Sequence, residues 1–461
     1  MKKQNLIQVL FLSVLFTFSA CQPVVEQETA LQGINSGRKT TPPALLDPSN
    51  TNPPPQGPTA EILPIVMIHG FLASGDTYAS FALRFTSNEY LWKHINVFDW
   101  NTLAQSANDV TNLDKLVDAI LQKTGAAQVE LIGHSAGGGL GYNYLKDATR
   151  AAKVAHYVHI GSTVQTGPAG PAAKPVPTLN LWSDGDKTVQ GGDIPNATNV
   201  KLSNKDHYQM ATSPESFTEV YKFFQGKSPA TTEISYNQHP CIGGRALTFG
   251  ENQGAANASV KIYEVNPTTG ERLSSVPDHD LTADAQGYWS VVPVEAKKPY
   301  EIVVLETGAG KRAIHYYREG FIHNNGLVYL RTLPPPSSLA GVLLSNLPTN
   351  PEQSVLNVFS SSQAMISGRD TLLVDDKLLT TPQIAPASKT MIALFLFDNN
   401  KNKISDFTVI GTFALLQQFL NGIDQFFDTQ LTTPIVVRLN KRSLALHRWK
   451  ASEDILVAVF D

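Results

Sequence analysis

The chain has 461 residues, 42% of them apolar and 16% charged, with a formal net charge of −4. That length exceeds one ordinary domain and suffices for two or three. The near-neutral charge excludes a basic nucleic-acid surface, and two cysteines, Cys21 and Cys241, exclude a disulfide framework.

Taken in chain order, the first element is a targeting segment. Lys2 and Lys3 precede an apolar run from Leu6 to Phe18, too short for a membrane span and closed by small residues. The pattern predicts a secretory signal over residues 1–20. Phe18-Ser19-Ala20-Cys21 resembles the lipobox of bacterial lipoproteins, with Phe18 in place of the usual leucine. The resemblance implies cleavage before Cys21, lipidation of Cys21, a membrane anchor, and a place in the cell envelope. An ordinary signal would instead make the protein secreted. With Cys21 lipidated, Cys241 is expected as a buried or free thiol. Residues 21–61 are rich in Pro, Thr, Asn and Gln and bury no core, so they read as an extended tether.

Residues 62–227 read as alternating strands and helices. Strands are predicted at Ile62–Ile68, Ile95–Trp100, the run Gln128-Val129-Glu130-Leu131-Ile132 that leads into Gly133, Val154–Ile160, Thr178–Trp182 and Asn199–Leu202. Asp109–Lys123 has helical spacing, with Val110, Leu113, Leu116, Val117, Ile120 and Leu121 on one face. Further helices are expected up to Leu145 and over Ser213–Phe224. The alternation predicts an α/β fold, a parallel sheet covered by helices on both faces.

After Gly226 the helical periodicity thins. Strands are expected at Ser259–Val265, Gly287–Val294 and Tyr300–Thr307, in a β-sandwich module over 236–332. Leu333-Pro334-Pro335-Pro336 reads as a linker into 333–461, a second β-rich module or a stretch that packs with the first into one unit, with strands at Met391–Phe397, Pro434–Leu439 and Asp454–Phe460. Ala414–Phe427 reads as a helix. Asp398-Asn399-Asn400-Lys401-Asn402 begins like a calcium loop, but Lys403 and Val409 stand where glycine and glutamate are needed, so a hairpin turn is expected.

The chemistry concentrates in Gly133-His134-Ser135-Ala136-Gly137, a G-x-S-x-G turn between a strand and a helix. Such a turn exposes a serine at the top of a sheet and sets the positive end of a helix beside it. A serine nucleophile needs a base, and the base an orienting acid. The acid is expected after the strand Thr178–Trp182. There Asp184, Asp186 and Asp193 compete, and Asp186, followed by Thr188-Val189, is preferred because that layout resembles the acid loop of bacterial lipases. The base is expected at His207, in the loop after the last strand; His69, His134, His156 and His159 read as structural. The oxyanion hole is assigned to the amides of Phe71 and Ala136, and Leu72 to the acyl groove.

Together Val66-Met67-Ile68-His69-Gly70-Phe71, the elbow, Ser183-Asp184-Gly185-Asp186 and Asp206-His207 resemble a compact bacterial lipase of the α/β-hydrolase superfamily. The β-rich remainder looks similar to the C-terminal domains of some archaeal and bacterial lipases. The resemblance implies an α/β-hydrolase fold without a large lid, no cofactor and no metal. It also implies a serine hydrolase of carboxylic esters, a lipase or carboxylesterase, whose β domains bind lipid or another surface. Because only the short Thr166–Pro177 loop stands where large lipases insert a lid, an open site is expected. The triad does not select the acyl donor. Amidase, thioesterase and polyester depolymerase therefore remain open, as does a surface lipid- or glycan-binding protein with an ancillary hydrolase domain.

Overall fold

The computed structural model describes residues 62–416 and 418–461; the signal segment, Cys21 and the tether lie outside the described residues. The first part alternates as β1 (Ile65–Ile68), α1 (Ala79–Thr86), β2 (Ile95–Phe98), α2 (Asn108–Thr124), β3 (Val129–His134), α3 (Ala136–Leu145), α4 (Ala148–Ala151), β4 (Val154–Ile160), β5 (Thr178–Trp182), β6 (Thr198–Lys201), α5 (Gln209–Thr212) and α6 (Pro214–Gln225). Its six strands form one parallel sheet in the order β2-β1-β3-β4-β5-β6. β1 and β3 are buried along their whole length, which is why they read as continuous apolar runs. On one face Ile65, Met67 and Ile132 pack against Phe81, Phe85 and Phe217 of α1 and α6. On the other, Val66, Ile68 and Leu131 pack against Leu113, Val117 and Tyr144 of α2 and α3. Gly125 and Gly226, both left-handed, end α2 and α6.

The remainder is built of strands: β7 (Cys241–Thr248), β8 (Ser259–Glu264), β9 (His279–Thr282), β10 (Tyr288–Pro293), β11 (Tyr300–Leu305), β12 (Ala313–Arg318) and β13 (Leu330–Thr332). After a short α7 (Leu339–Leu344) come β14 (Leu356–Ser360), β15 (Leu372–Val374), β16 (Lys377–Leu378), β17 (Ala393–Phe397), β18 (Leu420–Asp424), β19 (Ile435–Leu439), β20 (Arg442–Leu446) and β21 (Asp454–Phe460). The central sheet has eight strands in the order β18-β17-β14-β21-β12-β11-β8-β9. One face, with Ile302, Val304, Phe395 and Val457, meets the three-stranded sheet β10-β7-β13. The other, with Leu356, Leu394 and Leu456, meets the four-stranded sheet β16-β15-β19-β20.

The two β-rich stretches share the central sheet, because β21 pairs in parallel with both β12 and β14 and so joins strands from either side of 332/333. Three expectations are corrected here. Ala414–Phe427 is not one helix: a 3-10 turn over Gly411–Leu416 gives way to β18. β17 and β18 run parallel, so the loop beginning at Asp398 is part of a crossover and not a hairpin. Cys241 is also not a free thiol but disulfide-bonded.

Between the eight- and four-stranded sheets lies a buried charge network. Glu301 accepts from His315 Nδ1 at 2.6 Å and pairs with Arg272, while His315 Nε2 donates to Asp454 at 2.8 Å. Burial opposes the charge on His315, but the hydrogen bonds to Asp454 and Glu301 outweigh it and raise its pKa. Burial also opposes the charge on Glu301, yet the bonds from His315 and Arg272 hold its pKa below the usual range. A raised histidine stabilises below its unfolded pKa and loses that contribution as pH rises through the folded value. A depressed glutamate stabilises above its unfolded pKa and loses its contribution as pH falls through the folded value. This pair is therefore expected to stabilise the fold most between about pH 4.3 and pH 6.5. Melting temperature against pH should fall less steeply on the alkaline side in His315→Gln than in the parent chain; equal slopes would remove His315 from the effect.

Candidate active site

β3 delivers Ser135 and α3 begins one residue later. Ser135 has φ 55° and ψ −122°, a conformation that costs a non-glycine residue on the order of 1–3 kcal/mol. The surrounding backbone holds it there. Its N–H donates to Ile160 O at 2.9 Å, and its C=O accepts from Ser162 Oγ at 2.7 Å. The side chain stays partly exposed.

The loop after β5 presents Asp186 and the loop after β6 presents His207. His207 Nδ1 donates to Asp186 Oδ2 at 2.7 Å, and both residues are buried. Asp186 Oδ1 accepts from the amides of Thr188 (2.8 Å) and Val189 (3.0 Å). Burial pushes the Asp186 pKa up, but the His207 bond and charge and the two amides outweigh it, so the carboxylate stays ionised. The bond at Nδ1 leaves Nε2 of His207 as the basic nitrogen. Asp184 is exposed and pairs with Lys201 at 2.8 Å, and Asp193 accepts from Trp182.

His134 links the serine turn to His207. Its Nε2 donates to His207 O at 3.0 Å, and the two rings lie 4.6 Å apart between centroids. Burial, together with the His207 charge, lowers the pKa of His134 to about 3, so it is neutral. No hydrogen bond joins Ser135 Oγ to His207 in this conformation; such bonds tighten when substrate is bound.

The turn after β1 packs directly on the elbow: a Cβ on Gly70 would lie 2.9 Å from Ser135 Cβ. It closes with Ala73 N–H on Gly70 O at 3.3 Å, and Leu72 takes φ 58° with its N–H on Thr102 Oγ1 at 2.9 Å. Phe71 N–H has no acceptor among the described residues, and Ala136 N–H heads α3, where no intrahelical acceptor exists. Leu72 lines an apolar cleft, described below. Tyr78 is core: fully buried, with its hydroxyl on Ile68 O at 2.9 Å.

Sequence reasoning missed the cover. Phe419, ahead of β18, stands with its ring 6.2 Å from His207 and 6.3 Å from Phe71. Thr390 bonds Thr188 at 2.6 Å, Gln418 bonds Thr188 at 2.8 Å, and Arg369 bonds Asp206 at 2.7 Å. The β4–β5 connection carries no lid helix, and Ser135 itself stays partly exposed, while the far end of the chain covers the loops that carry Asp186 and His207. Phe419 lay within the run read as a helix, and no local pattern marks such a long-range contact.

An apolar cleft lies beside this corner between the two halves, and neither Ser135 nor His207 is among the residues that line it. It is lined by Leu72 and Tyr208 from the first part and by Phe249, Phe359, Phe395 and Phe419 from the second.

Residues 64–196 match the family model described as alpha/beta hydrolase fold, and residues 239–335 match the one described as Lipase C-terminal domain. Among solved structures, a bromoperoxidase from Bacillus anthracis aligns at 15% identity over 36% of this chain and 92% of its own, with a TM-score of 0.29. A Bacillus licheniformis lipase aligns at 14% identity over 38% and 96%, with a TM-score of 0.30. Aspergillus fumigatus lipase B aligns at 13% identity over 37% and 54%, with a TM-score of 0.29. The chain carries a domain of the α/β-hydrolase family joined to a lipase C-terminal domain.

Proposed function

We propose that this hydrolase cleaves carboxylic esters of medium to long acyl chains through an acyl-enzyme. In this reading His207 Nε2 takes the proton of Ser135 Oγ as it attacks the ester carbonyl. Asp186 fixes the imidazole tautomer and stabilises the imidazolium. The amides of Phe71 and Ala136 receive the oxyanion. His207 then protonates the leaving alcohol, and water attacks the acyl-enzyme with His207 again as base. The observation that carries the reading is the Asp186–His207 pair standing beside a strained, partly exposed serine at a helix N-terminus.

The cleft supports the choice of substrate. Its walls are largely aliphatic and aromatic, and it begins at Leu72 beside the oxyanion turn. Each buried CH₂ of an acyl chain contributes about 0.8 kcal/mol. Turnover of esters from acetate to long-chain triacylglycerol, with Ser135→Ala as control, tests this. kcat/KM should rise with chain length and vanish in the control. A preference for acetate would make the enzyme a short-chain carboxylesterase, and turnover surviving in Ser135→Ala would end the triad reading.

The N-terminal pattern supports export. Phe18-Ser19-Ala20-Cys21 supports lipidation of Cys21 and anchoring to a membrane. The mass of the mature N-terminal peptide tests this: a diacylglyceryl mass on Cys21 is expected, and an unmodified Cys21 would end the anchor reading.

A further inference from the structure

We infer that Asn252, in the lipase C-terminal domain, is a positioning residue for the oxyanion turn of the hydrolase domain; this rests on the triad reading above. The turn Gly70–Ala73 holds itself weakly. Its closing bond is 3.3 Å long, and Leu72 sits in the left-handed region that favours glycine. Its shape nevertheless decides where the Phe71 N–H points.

Asn252 follows β7, is buried, and has φ 58°. Its Nδ2 faces Ala73 O at 2.8 Å, Trp100 O at 3.0 Å and His69 Nε2 at 3.3 Å, and its Oδ1 accepts from Ser74 Oγ at 2.8 Å. His69 suits this role. Its Nδ1 donates to Gly70 O at 2.8 Å, which leaves Nε2 as acceptor, and burial lowers its pKa so that the ring stays neutral. Trp100 N–H shares the same Nε2 at 3.2 Å. One side-chain amide therefore bonds to His69 before the turn and to Ala73 and Ser74 after it. Gly70, Phe71 and Leu72 are bracketed between these contacts.

Other residues of the β region hold the segment beyond. Arg331 pairs with Asp76 at 2.6 and 2.9 Å and reaches Ser74 Oγ at 3.2 Å. Asp99 accepts from Gly75 N–H at 2.7 Å, and also from Arg245 at 2.9 Å and the Tyr329 hydroxyl at 2.8 Å. These act by charge on residues 74–76. Among the β-region side chains in this network, Asn252 is the one that hydrogen-bonds to the turn itself. Domain attachment alone needs apolar area; an amide with four polar contacts around one turn specifies that turn's geometry.

The test uses the full chain and two variants. Asn252→Gly keeps the left-handed backbone and removes the amide. Asn252→Asp is isosteric, keeps an acceptor for Ser74, and removes the donors to Ala73 and His69. Rates on a soluble short-chain ester are expressed per active serine titrated with a fluorophosphonate. In both variants kcat should fall roughly 10–100-fold with KM within about twofold. Ki for a trifluoromethyl ketone, whose hemiketal oxyanion occupies the hole, should rise in parallel with the loss in kcat. Unchanged kcat per titrated serine, or a loss that follows only the titratable fraction, would overturn the inference while Ser135→Ala still abolishes turnover. Wild-type turnover in Ser135→Ala would instead overturn the triad reading, and this inference with it.

Discussion

Asp186→Asn is expected to lower kcat by about 10⁴-fold while leaving the protein folded and KM little changed. The geometry dictates the direction. Asp186 Oδ1 is committed to the amides of Thr188 and Val189, and an asparagine carbonyl can keep both bonds. Its NH₂ is then turned toward His207, where Oδ2 now accepts from Nδ1. A donor facing Nδ1 forces the imidazole proton onto Nε2, the nitrogen that accepts the serine proton in the proposed mechanism. The variant thus blocks the base by tautomer and not by displacement. Steady-state kinetics with a melting curve on the same preparation measure this. A folded variant of undiminished kcat would remove Asp186 from the reaction.

Gly137→Ala carries the largest expected effect on stability. A Cβ at Gly137 would lie 2.2 Å from Ile68 O and 2.6 Å from His69 O, well inside the roughly 3.3 Å of even a weak C–H···O contact. Both obstacles are backbone at the end of β1, the fully buried strand between β2 and β3, so no side chain can yield. Either α3 backs away from the sheet or β1 shifts, at a cost of about 3 kcal/mol or more. Gly139 supplies the control on the same helix. A Cβ there meets nothing within 4 Å, and alanine is the better helix former, so Gly139→Ala should be neutral or slightly stabilising. Denaturant midpoints of the two variants should separate clearly; coincident midpoints would contradict the steric account.

The hydrolase sheet was legible because its chemistry is local. β1 and β3 are short apolar runs, α2 has a periodic face and a glycine stop, and the elbow combines a strand, a strained serine and a helix within a few residues. Asp186 is preferred to Asp184 in the sequence only through the resemblance of its setting to the acid loop of bacterial lipases; the structure adds that Thr188 and Val189 turn their amides back onto it. α1 escaped notice because no side chain caps its start and its buried face is only Phe81, Ala82 and Phe85. The region 414–427 misled for a different reason. β18 is buried on both faces, so it lacks the alternation that marks a strand, and Phe413, Leu420 and Phe427 fall at helical intervals. Nothing local encodes that Phe419 reaches His207 or that Asn252 reaches His69, since these contacts exist only once distant segments have met.

The position of β21 has a kinetic consequence. It lies between β12 and β14, yet it is the latest of these strands in chain order, more than a hundred residues after β12. During synthesis the central sheet therefore has no middle until Asp454–Phe460 emerges. β12 and β14 each wait with an unpaired edge, the state in which sheets recruit wrong partners. Parallel pairing across so long a loop is also slow, because loop closure precedes any gain from the contact. Phe419 and Thr390 are supplied by this same late-forming region. Closure over the acid and base loops is thus tied to completion of the sheet, and a nascent chain with a finished hydrolase domain still lacks a finished site.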